Sequence, residues 1–85
     1  MEWCNMTEEK TLAFVLVVVA IGAETEVIDE IKKINTVKEV FSTYGSWDLI
    51  IRIEVDNIKL LDKTITSIRK IPGVEYTETL VCSKV

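Results

Sequence analysis

Hydrophobic positions along the chain follow two different periods. Residues 12–21 (LAFVLVVVAI) are apolar without interruption, which is the pattern of a strand covered on both faces. Leu49–Val55 alternates, with Leu49, Ile51, Ile53 and Val55 on one side and Ile50, Arg52 and Glu54 on the other. Residues 37–43 and 74–82 are mixed, with Lys38, Glu39, Glu75, Thr77, Glu78 and Thr79 along them. Between these stretches the period changes to that of a helix. Val27, Ile28, Ile31 and Ile34 form one apolar stripe, opposed by Glu26, Asp29, Glu30, Lys32 and Lys33; Ile58, Leu61, Ile65 and Ile68 form a second. Gly22 breaks the first strand, Asp56 or Asn57 is placed to cap the second helix, and Pro72-Gly73 stops it.

The pattern occurs twice. Ile31, Lys33, Ile34 and Val37 reappear as Ile68, Lys70, Ile71 and Val74, all at a spacing of 37, and the same shift carries residues 12–19 onto 49–56. Two copies are too few for a solenoid, so the chain reads as a duplicated strand-helix-strand unit folded into one sheet. The two apolar strands belong in the centre and the two charged ones at the edges, where charge discourages stray pairing. With right-handed crossovers this gives an α+β, ferredoxin-like βαββαβ fold, with a four-stranded antiparallel sheet in order 4-1-3-2 and two helices on one face. The expected division is an N-terminal extension over 1–11 and one domain over 12–85.

Two helices cover one face of such a sheet and leave the other bare, and a bare apolar patch of that size is unusual on a monomer. Dimerisation through the sheets, closing an α/β-barrel-like dimer, is the expected remedy. Because the first strand is apolar throughout, alternation does not say which of its residues point outward. Phe14, Leu16, Val17 and Val18 are therefore all interface candidates, together with Ile50 and Leu80.

Composition narrows the chemistry. The 85 residues fit one domain; at 48% hydrophobic and 28% charged the chain is not disordered, and its ten-residue apolar run is half of what a membrane span needs (~20). A net charge of −4 argues against direct DNA binding, and the absence of histidine removes imidazole metal ligands and Ser-His or Cys-His catalysis. Cys4 and Cys82 stand 78 positions apart, with no zinc spacing, and read as free thiols. Neither metal nor cofactor is expected. Glu2 stands where a secretory signal carries positive charge, so the chain reads as cytoplasmic. An Ile-, Val-, Glu- and Lys-rich composition without glutamine is a compositional hint of a hot-growing source.

The segments AFVLVVVAIG, EVIDEIKKINTVKEVFSTYGSWDLIIRIEV and SIRKIPGVEYTETLV resemble the effector-binding (RAM) domain of leucine-responsive regulatory protein/AsnC transcription regulators. The likeness is most specific at Thr43-Tyr44-Gly45-Ser46-Trp47-Asp48 and at Ile71-Pro72-Gly73-Val74 leading into Thr77-Glu78-Thr79. About eleven residues precede the first strand, too few for the helix-turn-helix of full-length members, so a stand-alone module without operator binding is expected. The resemblance implies dimers joined through their sheets and rings of dimers. It also implies an amino-acid effector held between dimers by Thr43, Tyr44, Gly45, Ser46, Trp47, Asp48, Thr77 and Thr79, and assembly with full-length paralogues. Gly45 lets backbone N–H groups approach a carboxylate, and Asp48 offers an acceptor to an ammonium group.

Each of these residues also has a plain structural use. Gly45-Ser46 fits a type II′ hairpin turn, Trp47 an interface or core anchor, Asp48 a backbone cap, and Thr77 and Thr79 ordinary edge-strand positions. Lys32, Lys33 and Lys38, flanked by Glu30 and Glu39, read as a solvated face. The rival functions are a small enzyme on the same fold and a purely structural assembly module. Acylphosphatase-like chemistry lacks its Arg and Asn beside Ile21-Gly22-Ala23, haem or oxygenase chemistry lacks histidine, and RNA binding lacks stacking aromatics on the two central strands other than Phe14.

Overall fold

The computed structural model describes residues 11–82. The order is β1 (Thr11–Val19), α1 (Glu24–Lys32), β2 (Val37–Ser42), β3 (Leu49–Val55), α2 (Ile58–Arg69) and β4 (Val74–Val81). The sheet runs β2-β3-β1-β4 with every neighbouring pair antiparallel, which is the expected 4-1-3-2 order read from the other edge. Cys4 and the extension before Thr11 lie outside the described residues.

The two apolar strands are central. β1 and β3 pair without interruption from Thr11↔Val55 to Val17↔Leu49. Cross-strand partners share a face, so Ala13, Val15, Val17 and Val19 lie beside Leu49, Ile51, Ile53 and Val55, all buried. Val27 and Ile31 of α1 and Leu61 and Ile68 of α2 close this core. Each such side chain contributes roughly 1.5–3 kcal/mol on full burial.

Val17 is therefore corrected as an interface residue: it is 0% exposed and points into the core between sheet and helices. Phe14, Leu16 and Val18 take the opposite face. The first strand also ends two residues earlier than its apolar run. The Ala20 N–H donates to the Gly73 carbonyl (2.8 Å) and the Ala23 N–H to the Ala20 carbonyl (3.0 Å), so the chain turns there and leaves Ile21 wholly exposed.

Helix ends follow local chemistry. Asn57 caps α2, its Oδ1 accepting from the Leu60 N–H at 2.9 Å. Ile34 falls beyond α1, in the following turn, yet still packs on the core. Buried Thr64 is satisfied twice, donating to the Leu60 carbonyl (2.9 Å) and sharing a hydrogen bond with the Thr36 hydroxyl (2.7 Å). Gly73 does more than stop α2. It sits at φ +102°, and a Cβ there would fall 2.8 Å from the Cβ of Ala23, so only glycine lets the entry to β4 press against the start of α1.

Both edge strands contain an irregularity. In β2 the partners step from Val37↔Ile53 to Glu39↔Arg52, leaving Lys38 over. In β4 they step from Tyr76↔Val18 to Val74↔Val19, leaving Glu75 over. Such bulges change which side chains reach which face.

Candidate functional site

Three neighbouring surfaces carry the candidate residues. The first is the open sheet face. Phe14, Leu16, Val18, Ile50 and Leu80 all lie on it, since Leu16 pairs with Ile50 and Phe14 with Leu80. Phe41 and Tyr76 join them through the pairs Phe41↔Ile50 and Tyr76↔Val18. Neither stood among the interface candidates: simple alternation from Val37 does not anticipate the bulge at Lys38 and so misses Phe41, whereas Tyr76 falls in regular alternation with Leu80. Glu78 also lies on this face, opposite Leu16, and the other charged groups surround Arg52. Its Nε donates to Glu39 and its Nη1 to Glu54, each at 2.7 Å, with only 22% of the side chain exposed. The guanidinium is held above its already high ordinary range, first by the hydrogen bond to Glu39, against the opposing effect of burial.

The second surface is the β2–β3 hairpin. The Thr43 N–H donates to the Asp48 carbonyl (2.9 Å), so the loop has four residues, Tyr44 to Trp47, and is longer than a two-residue II′ turn. The Thr43 hydroxyl donates to the Trp47 carbonyl at 2.6 Å. Asp48 ties the hairpin to the neighbouring strand. Its N–H donates to the Val17 carbonyl (2.8 Å), and its Oδ2 accepts from the Val19 N–H (2.8 Å). One carboxylate oxygen of Asp48 is thus occupied within the fold. Gly45 has φ +122° and open space where a Cβ would point, while Tyr44 at the loop tip is wholly exposed. Ser46 is exposed beside it.

Trp47 folds back onto β4. Its ring stacks on Tyr76 with centroids 5.7 Å apart and planes 20° from parallel, within the usual range for attractive offset stacking. The anchor reading of Trp47 therefore has a definite partner, 29 residues away in sequence.

The third surface is a hollow between the last turns of α2 and β4. Thr77 and Thr79 line it, as do Ile65, Arg69, Val74, Glu75 and Tyr76, and its volume is about 430 Å³. The hairpin residues do not line it. Sequence thus grouped eight effector residues that one chain distributes between two places: Thr43–Asp48 at the hairpin, and Thr77 and Thr79 on the helix-covered side of β4. Tyr76 touches both places, stacking on Trp47 and lining the hollow. Arg69 and Glu75 were not anticipated. Arg69 follows Ile65 by four residues, a spacing that places both on one helix face, but nothing local announces that β4 lies opposite.

Among the described residues no group of three or more His, Cys, Asp or Glu is arranged to hold a metal ion, and no helix is long and apolar enough to cross a membrane.

The family model for the Lrp/AsnC ligand-binding domain matches residues 12–85. The HTH-type transcriptional regulator FL11 of Pyrococcus horikoshii is 37% identical over 73 residues, which are 86% of this chain and 48% of that protein. The chain spans about half the length of the curated relatives it matches. The crystal structure of FFRP-DM1 superposes with a TM-score of 0.80 at 42% identity, covering 84% of this chain and 96% of that one. A Neisseria meningitidis transcriptional regulator solved as its L-Met complex gives a TM-score of 0.80 over 87% of this chain and 50% of that one; at 16% identity this is a likeness of fold.

Proposed function

This chain belongs to the family of Lrp/AsnC ligand-binding domains, and from that premise we propose that it is a non-catalytic cytoplasmic regulatory module that binds a free amino acid and acts by assembling with copies of itself and with full-length paralogues. The observation that carries the assembly half is the open sheet face. Phe14, Leu16, Val18, Phe41, Ile50, Tyr76 and Leu80 form an apolar surface, interrupted at Glu78, beside the Arg52 ion-pair cluster, and a second copy laid on it buries these residues. The amino-acid half is supported by the family's description as ligand-binding and by the L-Met complex of the Neisseria protein.

With a net charge of −4 this domain does not grip DNA phosphates by itself. Contact with an operator is made by a protein partner. The test is light scattering joined to calorimetry against the twenty amino acids. A mass of at least two chains and one amino acid bound are the expected results. A monomer mass of 9.7 kDa sinks the assembly half, and twenty blank titrations sink the sensing half.

One observation favours a second reading, a structural assembly module. The Thr43 hydroxyl and one Asp48 oxygen are both committed to hairpin and strand backbone. Under that reading Asp48→Asn loosens the hairpin and changes no ligand affinity.

A further inference from the structure

The open sheet face contains a charge that the fold itself leaves unmatched. By register two rows cross this face: Phe41, Ile50, Leu16 and Glu78 form one, and Glu39, Arg52, Phe14 and Leu80 the next. Glu54, two residues beyond Arg52 on β3, lies on the same face. The second row answers its own charge, because Arg52 donates to both Glu39 and Glu54. The first row does not. Glu78 is exposed, and among the described residues it makes no ion pair or side-chain hydrogen bond.

Its position gives that charge a consequence. Tyr76 and Leu80, both exposed, flank Glu78 on β4, and Leu16 lies across from it. A partner sheet that buries these three also strips water from the carboxylate, which opposes association unless the partner supplies a cation. The four strands contain two cations: Arg52, already held by two carboxylates, and Lys38, which shares a hollow with Glu54 at the opposite edge of the sheet. Neither stands in the row of Glu78. A two-fold axis laid along the strands sets β4 over the β2 of an identical copy, and one laid across them sets β4 over β4. The residues of the matching row are then Phe41 or Glu78, an apolar ring or a like charge.

We propose that Glu78 sets the partner specificity of this face: it weakens pairing between two identical chains and favours a related sheet that carries Lys or Arg opposite it. The apolar residues supply attraction to either partner, and the carboxylate discriminates between them. The proposal rests on the assembly half of the reading above and adds the chemistry of the preferred partner.

Sedimentation equilibrium on the full chain tests it. Glu78→Gln keeps the shape of the side chain and removes its charge, and it is expected to tighten the homodimer about 10-fold or more. Asp62→Asn, an equal loss of charge at an exposed position of α2, is expected to leave the dissociation constant unchanged. Phe41→Lys and Glu78→Lys chains with a mass label are each mixed with the unaltered protein and followed by native mass spectrometry. At least one of the two is expected to form mixed dimers beyond the statistical share. All the substituted residues are exposed, so the variants keep the fold, as circular dichroism will verify. A weaker Glu78→Gln homodimer means that the carboxylate finds a cation across an identical pair, and overturns the proposal. So does an unchanged dissociation constant, an Asp62→Asn effect as large as that of Glu78→Gln, or statistical mixing with both lysine variants. In each of these cases the assembly reading stands. Monomer mass for the unaltered and Glu78→Gln chains at every concentration sinks that reading, and the proposal with it.

Discussion

Val17 and Val18 are chemically identical neighbours, and the sheet gives them opposite environments. Val17 lies under the helices with no exposed surface; Val18 lies on the open face beside Tyr76. The same holds one strand over, where Ile51 is buried and Ile50 only partly so. Hydrophobicity is equal on the two sides of β1, so what separates a core from an interface here is cover. One face finds it within the chain and the other must find it in a partner.

The largest expected effect comes from breaking that contrast with a charge. Val17→Asp places a carboxylate in the closed core, opposite Leu49 on β3. That costs several kcal/mol, a large share of the ~5–15 kcal/mol that holds a domain together. Far-UV circular dichroism is expected to show an unfolded chain. Val18→Asp is expected to keep the native spectrum and lose oligomer mass. A folded Val17→Asp protein, or an unfolded Val18→Asp one, reverses the assignment of the faces.

Ile51→Ala and Ile50→Ala sharpen the comparison within one strand. The first leaves a cavity in the closed core and costs about 2–5 kcal/mol in denaturant titrations. The second is expected to cost less at concentrations where the chain is dissociated, with its main effect on the dissociation constant. Equal costs in the dissociated chain sink the distinction.

Gly73→Ala tests how closely the covered side is assembled. It places a methyl group against Ala23 and Val27 at positive φ, for an expected loss of about 1–3 kcal/mol. A melting temperature unchanged by the substitution contradicts the close approach. Arg52→Met is the smallest. It leaves Glu39 and Glu54 on the open face without their cation, and because the Glu39 side chain is half exposed the cost is about 1 kcal/mol. The destabilisation is expected to shrink as salt is added, since salt screens the repulsion left between the two carboxylates. A salt-independent effect points to lost packing instead.

Much of this architecture was legible in the chain. β3 spans the residues its alternation marks, Asn57 caps α2 as one of two candidates, and the repeat at a spacing of 37 carries the first central strand onto the second. These features are local, and backbone geometry converts local periodicity into elements without reference to anything distant. Family membership was legible for a related reason, since the hairpin and Pro72-Gly73 are short contiguous signatures.

The faces and the site were decided elsewhere. A uniformly apolar strand has no alternation to read, so only the arrival of Val27, Ile31, Leu61 and Ile68 makes Val17 interior and Val18 exterior. One extra residue in each edge strand shifts the parity of the side chains around it: the one at Lys38 brings Phe41 onto the open face, and the one at Glu75 places Val74 opposite Val19. The bond from Asp48 to Val19, the stack of Trp47 on Tyr76, and the hollow shared by Arg69 and Glu75 each join residues distant in sequence or held on different elements. Sequence by itself determined the elements and their order, because those depend on neighbours a few residues away. Which side chains meet, and which remain without a partner, depends on how finished elements pack, and only the tertiary structure contains that.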